Sequence, residues 1–67
     1  MIKFAQRIKE LRSDRKLKQS ELAEALEVDQ STISSWESGY REPDFERLSK
    51  IAKFFEVTTD YLLGLED

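Results

Sequence analysis

Cysteine and histidine are both missing from this chain of 67 residues. Their absence excludes disulfides, thiolate chemistry, imidazole acid–base catalysis and the usual zinc ligand sets together. No nucleophile-and-base constellation remains, so no enzymatic activity, metal, cofactor or small-molecule substrate is expected. Long apolar runs are missing too. The longest is Tyr61-Leu62-Leu63, far short of a membrane span, and the opening MIKFAQRIKE lacks the apolar stretch of a secretory signal. The expectation is a soluble, cytoplasmic protein with no membrane partner. Two glycines and one proline are all that interrupt the sequence, and no stretch alternates apolar with polar residues, which argues against strands. Sixty-seven residues suffice for one domain, 1–67, near the lower limit for a self-supporting core.

What is present is helical periodicity along almost the whole length. Phe4, Ile8 and Leu11 fall at i, i+4 and i+7 and predict a first helix ending near Lys16. Leu22, Ala23 and Leu26 mark a second over about 19–26. Asp29 is placed to cap a third beginning at Gln30, with Ile33 and Trp36 turned inward and Gly39 ending it in a left-handed conformation. Pro43-Asp44 opens a fourth in which Phe45, Leu48, Ile51, Ala52 and Phe55 keep the period. Thr58 caps a short fifth helix, Thr59 to Leu63, stopped by Gly64. The fold class is therefore all-α.

Net charge is −3, which by itself speaks against a polyanionic partner. The charge is unevenly distributed: residues 1–18 hold seven basic against two acidic residues, and the remainder four against twelve. A basic helix followed by an acidic surface accounts for this without any partner, whereas a phosphate-seeking first helix accounts for it with one. Two charges fall on the edges of apolar stripes, Arg12 one turn after Ile8 and Glu37 one turn after Ile33. A charge on a buried edge needs a counter-charge, so a pair between them would tie the first helix to the third, the alternative being two separately solvated side chains.

Residues 19–38 read as short helix, tight turn, second helix. Only Glu27-Val28 separate Leu26 from Asp29, a connection that holds two helices at a wide angle and lets the second project from the body. With Ile33, Trp36 and Glu37 inward, its outer stripe is Gln30, Ser31, Ser34, Ser35 and Ser38. Small and amide side chains permit close approach to base edges: Gln can bond adenine through both amide groups, and Ser serves several bases. Serines on an exposed face are equally an ordinary solvated surface.

The string LKQSELAEALEVDQSTISSWESGYREPDFERLSKIAKFFEVTTDYLLG resembles the Cro/repressor-type (XRE-like) helix-turn-helix family of transcriptional regulators. The resemblance is carried by Gln19 and Glu21-Leu22-Ala23, by Ser31-Thr32-Ile33-Ser34 with Trp36-Glu37 and Gly39, by Arg41 and Pro43, by Leu48, Ile51 and Ala52, and by the closing VTTDYLLG. It runs from Phe4 to Gly64 and implies a compact five-helix, lambda-repressor-like DNA-binding domain. The implied function is sequence-specific binding of double-stranded DNA, with a homodimer repressing from a palindromic operator. Matched position by position, it implies base contacts from Gln30, Ser31 and Ser35, with Ser34 on the same stripe. It also implies phosphate contacts from Gln19 and Arg41, to which Lys18 and Thr32 are added, and a semi-buried Arg12–Glu37 ion pair.

The sequence departs from the family pattern at Glu27, where glycine is usual and a left-handed backbone would carry about 1 kcal/mol of strain. Lys18 stands where a Ser or Thr cap is usual. The third helix has no Arg or Lys, which shifts the expected preference toward adenine, thymine and groove shape. Asp29 is expected to be neutralised largely by the amides it caps. The apolar C-terminal stretch is expected to form a dimer interface at Phe54, Tyr61, Leu62 and Leu65, the alternative being that these residues pack that end of the core. An antitoxin-like or adaptor module, using the same fold and its acidic surface to bind a protein, is the competing reading.

Overall fold

The computed structural model describes residues 3–67. Five helices follow one another: α1 (Phe4–Asp14), α2 (Gln19–Leu26), α3 (Gln30–Ser38), α4 (Phe45–Phe55) and α5 (Thr59–Leu63). No strand occurs among the described residues. Every helix sends at least one large side chain to full burial: Phe4 and Ile8 from α1, Leu22 from α2, Ile33 from α3, Ile51 from α4 and Leu62 from α5. Each contributes about 1.5–3 kcal/mol by leaving water. Trp36 joins them, edge-on to Phe4 with ring centroids 6.3 Å apart. This contact seats α3 on α1, while α2 packs along α3, and α5 closes against α1 and α4.

All five helices close the same way. The N–H two residues beyond each helical turn bonds back to a carbonyl five residues earlier: Leu17 to Arg12, Val28 to Ala23, Tyr40 to Ser35, Val57 to Ala52 and Leu65 to Asp60. The preceding residue is left-handed each time, namely Lys16, Glu27, Gly39, Glu56 and Gly64. The closures at Gly39 and Gly64 follow the glycine pattern, and Glu27 takes up its strained turn at φ 61°. Lys16 and Glu56, at φ 57° and 58°, were not expected to. Wherever the left-handed residue has a side chain, the next residue is apolar and packs on the core: Leu17, Val28 and Val57. That packing offsets the backbone strain.

Two expectations for the helices are corrected. Phe45 does not continue the apolar stripe of α4; it is 92% exposed. It lies in the first turn, fixed there by Asp44, whose side chain accepts from the Arg47 N–H, and the buried stripe begins a turn later at Leu48. Asp29 occupies the capping position of α3 with extended backbone, but its carboxylate accepts no hydrogen bond from the helix. Thr58, by contrast, accepts from the Tyr61 N–H as expected.

The basic first helix is largely committed within the molecule. Arg7 donates to the carbonyls of Tyr61 and Glu66, both at 2.6 Å, and stacks over the Tyr61 ring at 4.1 Å. Arg15 donates to the Phe54 and Phe55 carbonyls at 3.2 Å and lies 5.3 Å from the Phe55 ring centroid. The Phe54, Phe55 and Tyr61 carbonyls belong to the ends of α4 and α5, where unsatisfied acceptors and the negative end of the helix dipole favour a cation.

Candidate nucleic-acid interface

The geometry of the site is set by the turn between α2 and α3. Glu27 takes the left-handed conformation, half-buried Val28 packs against the core, and α3 is held by its buried Ile33 and Trp36. What α3 leaves outward is polar and short. Gln30, Ser31, Ser34 and Ser38 are exposed, and Ser35 is half-buried. The Ser35 carbonyl accepts from the N–H groups of Tyr40 and Arg41 and from the Ser38 hydroxyl, which fixes the path of the following loop. Asp29 is exposed at the start of the same helix, its carboxylate free of any capping hydrogen bond.

Positive charge lies beside this face rather than on it. Lys18 is exposed at the start of α2, where its backbone N–H donates to Glu21 Oε1 at 2.7 Å. Arg41 is exposed in the loop after α3. Thr32, half-buried, shares with Arg41, Asp29 and Arg47 a concavity of about 610 Å³ between the α2–α3 turn and the α3–α4 loop. Neither Lys18 nor Arg41 forms an ion pair among the described residues. Arg7, Arg12 and Arg15, which contributed to the basic character of the N-terminal segment, are held in internal bonds.

Arg12 and Glu37 meet in a two-pronged pair, Nε to Oε2 at 2.6 Å and Nη2 to Oε1 at 3.0 Å. Their side chains are only 15% and 5% exposed. Nη1 of the same guanidinium donates to the Leu17 carbonyl at 2.7 Å. The hydrogen bond to Glu37 raises the Arg12 pKa above its ordinary value against the opposing pull of burial. A base raised in the folded state stabilises it at every pH below the unfolded value, so this arginine brings no pH dependence near neutrality. Gln19 also joins the pair, Nε2 to Glu37 Oε1 at 3.1 Å. Sequence periodicity pointed to the charges but not to the glutamine, because that bond depends on how α2 crosses α3.

The residues expected at a dimer interface fare differently. Leu62 is fully buried within the monomer, so it cannot belong to a contact surface; the last turn of α5 faces α1 and α4 on that side. Phe54 and Tyr61 are half-buried, and Leu65 is 72% exposed.

Five helices with no strand among the described residues, α2 and α3 joined by the tight turn at 27–29 and packed on each other, define a lambda-repressor-like helix-turn-helix domain. The helix-turn-helix family profile matches residues 8–62, and the chain belongs to that family, in its Cro/repressor-type (XRE-like) branch. It is 44% identical over 66 residues to the HTH-type transcriptional activator BcrR of Enterococcus faecalis, covering 98% of this chain and 32% of that protein. It is 38% identical to the HTH-type transcriptional regulator ImmR of Bacillus subtilis (strain 168), covering 96% of this chain and 50% of ImmR. To the cryptic phage CTXphi transcriptional repressor RstR of Vibrio cholerae it is 37% identical over 54 residues, or 81% of this chain and 49% of RstR. The chain thus spans between about a third and a half of the length of these relatives. No described helix is long and apolar enough to cross a membrane.

Proposed function

We propose that residues 1–67 form a single DNA-binding domain of a transcriptional regulator, with the helix-turn-helix at about 19–38, and that it binds double-stranded DNA sequence-specifically. Met1 and Ile2 of that span lie outside the described residues. The observation that carries the reading is the outer face of α3, where Gln30, Ser31 and Ser34 stand exposed with no long side chain between them. Such a face can lie close against base edges in a major groove. Gln30, Ser31, Ser34 and Ser35 are assigned to the bases, and Lys18, Gln19, Thr32 and Arg41 to the phosphates on either side.

In this reading the regulator acts as a homodimer on a palindromic operator whose half-sites lie about one helical turn, roughly 34 Å, apart. Occupation of the operator blocks polymerase, which makes it a repressor. Pairing is favoured because each monomer offers few phosphate-binding cations. Titration of random-sequence and selected duplex across a salt series tests the proposal. With Lys18 and Arg41 of each monomer neutralising phosphates, a dimer should lose on the order of 100-fold in affinity between about 50 and 200 mM salt. Absence of binding to any duplex at the low end would refute it.

A further inference from the structure

Gln19 joins two parts of the molecule that would otherwise serve separate purposes. It is the first residue of α2, where a helix N-terminus and an amide can hold a phosphate, and it is also the third partner of the buried Arg12–Glu37 pair. A carboxylate only accepts, so the end of the amide that meets Glu37 must be Nε2. That nitrogen carries two hydrogens, and Glu37 takes one. The amide is thereby fixed before any ligand arrives, on a half-buried side chain that would otherwise sample several rotamers.

We propose that the Arg12–Glu37 pair is a positioning device for DNA binding as well as a brace between helices. Glu37 holds the Gln19 amide so that its remaining N–H is presented to a backbone phosphate, and Arg12 cancels the carboxylate charge that would repel that phosphate. The inference rests on the reading of Gln19 as a phosphate contact. Three observations converge on it. Glu37 uses both oxygens on Arg12 and shares Oε1 with Gln19. The third nitrogen of Arg12 holds the Leu17 carbonyl, so the backbone leading into α2 is anchored at the same guanidinium. Glu37 itself belongs to α3, so the pair sets the distance between the phosphate clamp and the helix that reads bases.

The test compares affinity for random-sequence duplex, by fluorescence anisotropy, with thermal midpoint for four proteins. These are the unmodified chain, Gln19→Ala, the double variant Arg12→Met/Glu37→Met, and the three substitutions combined. Replacing a buried ion pair by apolar side chains of similar volume usually keeps the fold. Gln19→Ala should weaken binding about 10-fold, in the range of one lost charged hydrogen bond. The double variant should keep its thermal midpoint yet lose a similar factor, and the combined variant should lose little more than either. A double variant that folds and binds like the unmodified chain overturns the inference while leaving Gln19 as a phosphate contact. Gln19→Ala that binds normally overturns both. Should the methionine pair fail to fold, Arg12→Lys keeps the charge but not the two-pronged geometry. Its loss of affinity should vanish in the Gln19→Ala background, and equal losses in both backgrounds contradict the proposal.

Discussion

Arginine at position 15 illustrates how a charge read from sequence changes meaning once its neighbours are known. It belongs to the segment with seven basic residues against two acidic ones, yet its guanidinium caps the carbonyls at the end of α4. Arg15→Ala should therefore lower stability by about 1–2 kcal/mol. The slope of DNA affinity against salt should stay unchanged, since no phosphate contact is removed. Denaturant unfolding together with a salt titration checks both halves, and a shallower salt slope in the variant would mean that Arg15 contacts phosphate. The Arg12–Glu37 pair was legible because two charges interrupted two apolar stripes. Arg7 and Arg15 were not, because an exposed arginine on a helix reads the same whether it faces water or a carbonyl forty residues away.

At the scale of elements, all five helices lie where periodicity placed them, within a residue or two at the end of α1. Apolar spacing of 3.6 residues survives any tertiary arrangement, and short capping signals such as Thr58 and Gly64 depend only on local chain. The endings at Lys16 and Glu56 were hidden because their usual marker, glycine, is replaced by charged residues held left-handed through the packing of Leu17 and Val57. Phe45 misled for a related reason: an apolar residue in register with the stripe is buried only if the body reaches as far as that turn. The left-handed endings carry a direct consequence for stability. Glu56→Gly should relieve about 1 kcal/mol of backbone strain, raising the thermal midpoint by roughly 4–8 °C. Differential scanning calorimetry would reveal it, and a lowered midpoint would mean that Glu56 contributes something beyond its conformation.

At the scale of the whole molecule, the chain divides into a buried centre to which every helix contributes and exposed polar side chains, among them Lys18 before α2 and Gln30, Ser31 and Ser34 on α3. Apolar surface at the C-terminal end is mostly consumed in the monomer: Phe55 and Leu62 are in the core, and Phe54, Val57 and Leu63 pack against it. Leu65 remains exposed. Substitutions at the two leucines should therefore part company. Leu62→Ala should cost about 2–5 kcal/mol in stability. Leu65→Ala should leave stability within about 0.5 kcal/mol and weaken any self-association, which sedimentation equilibrium at micromolar concentration can follow. Unchanged association in Leu65→Ala would place the dimer contact elsewhere.

Serine-rich and without a basic residue, α3 can read DNA only if recognition and attraction are divided between different elements. The direct measurement is the affinity of Gln30→Ala, Lys18→Ala and Arg41→Ala for a selected duplex and for a random one at equal salt. Gln30→Ala should lose about 1–3 kcal/mol on the selected duplex and almost nothing on the random one, whereas Lys18→Ala and Arg41→Ala should weaken both alike. Equal losses on the two duplexes for Gln30→Ala would contradict the assignment of α3 to the bases.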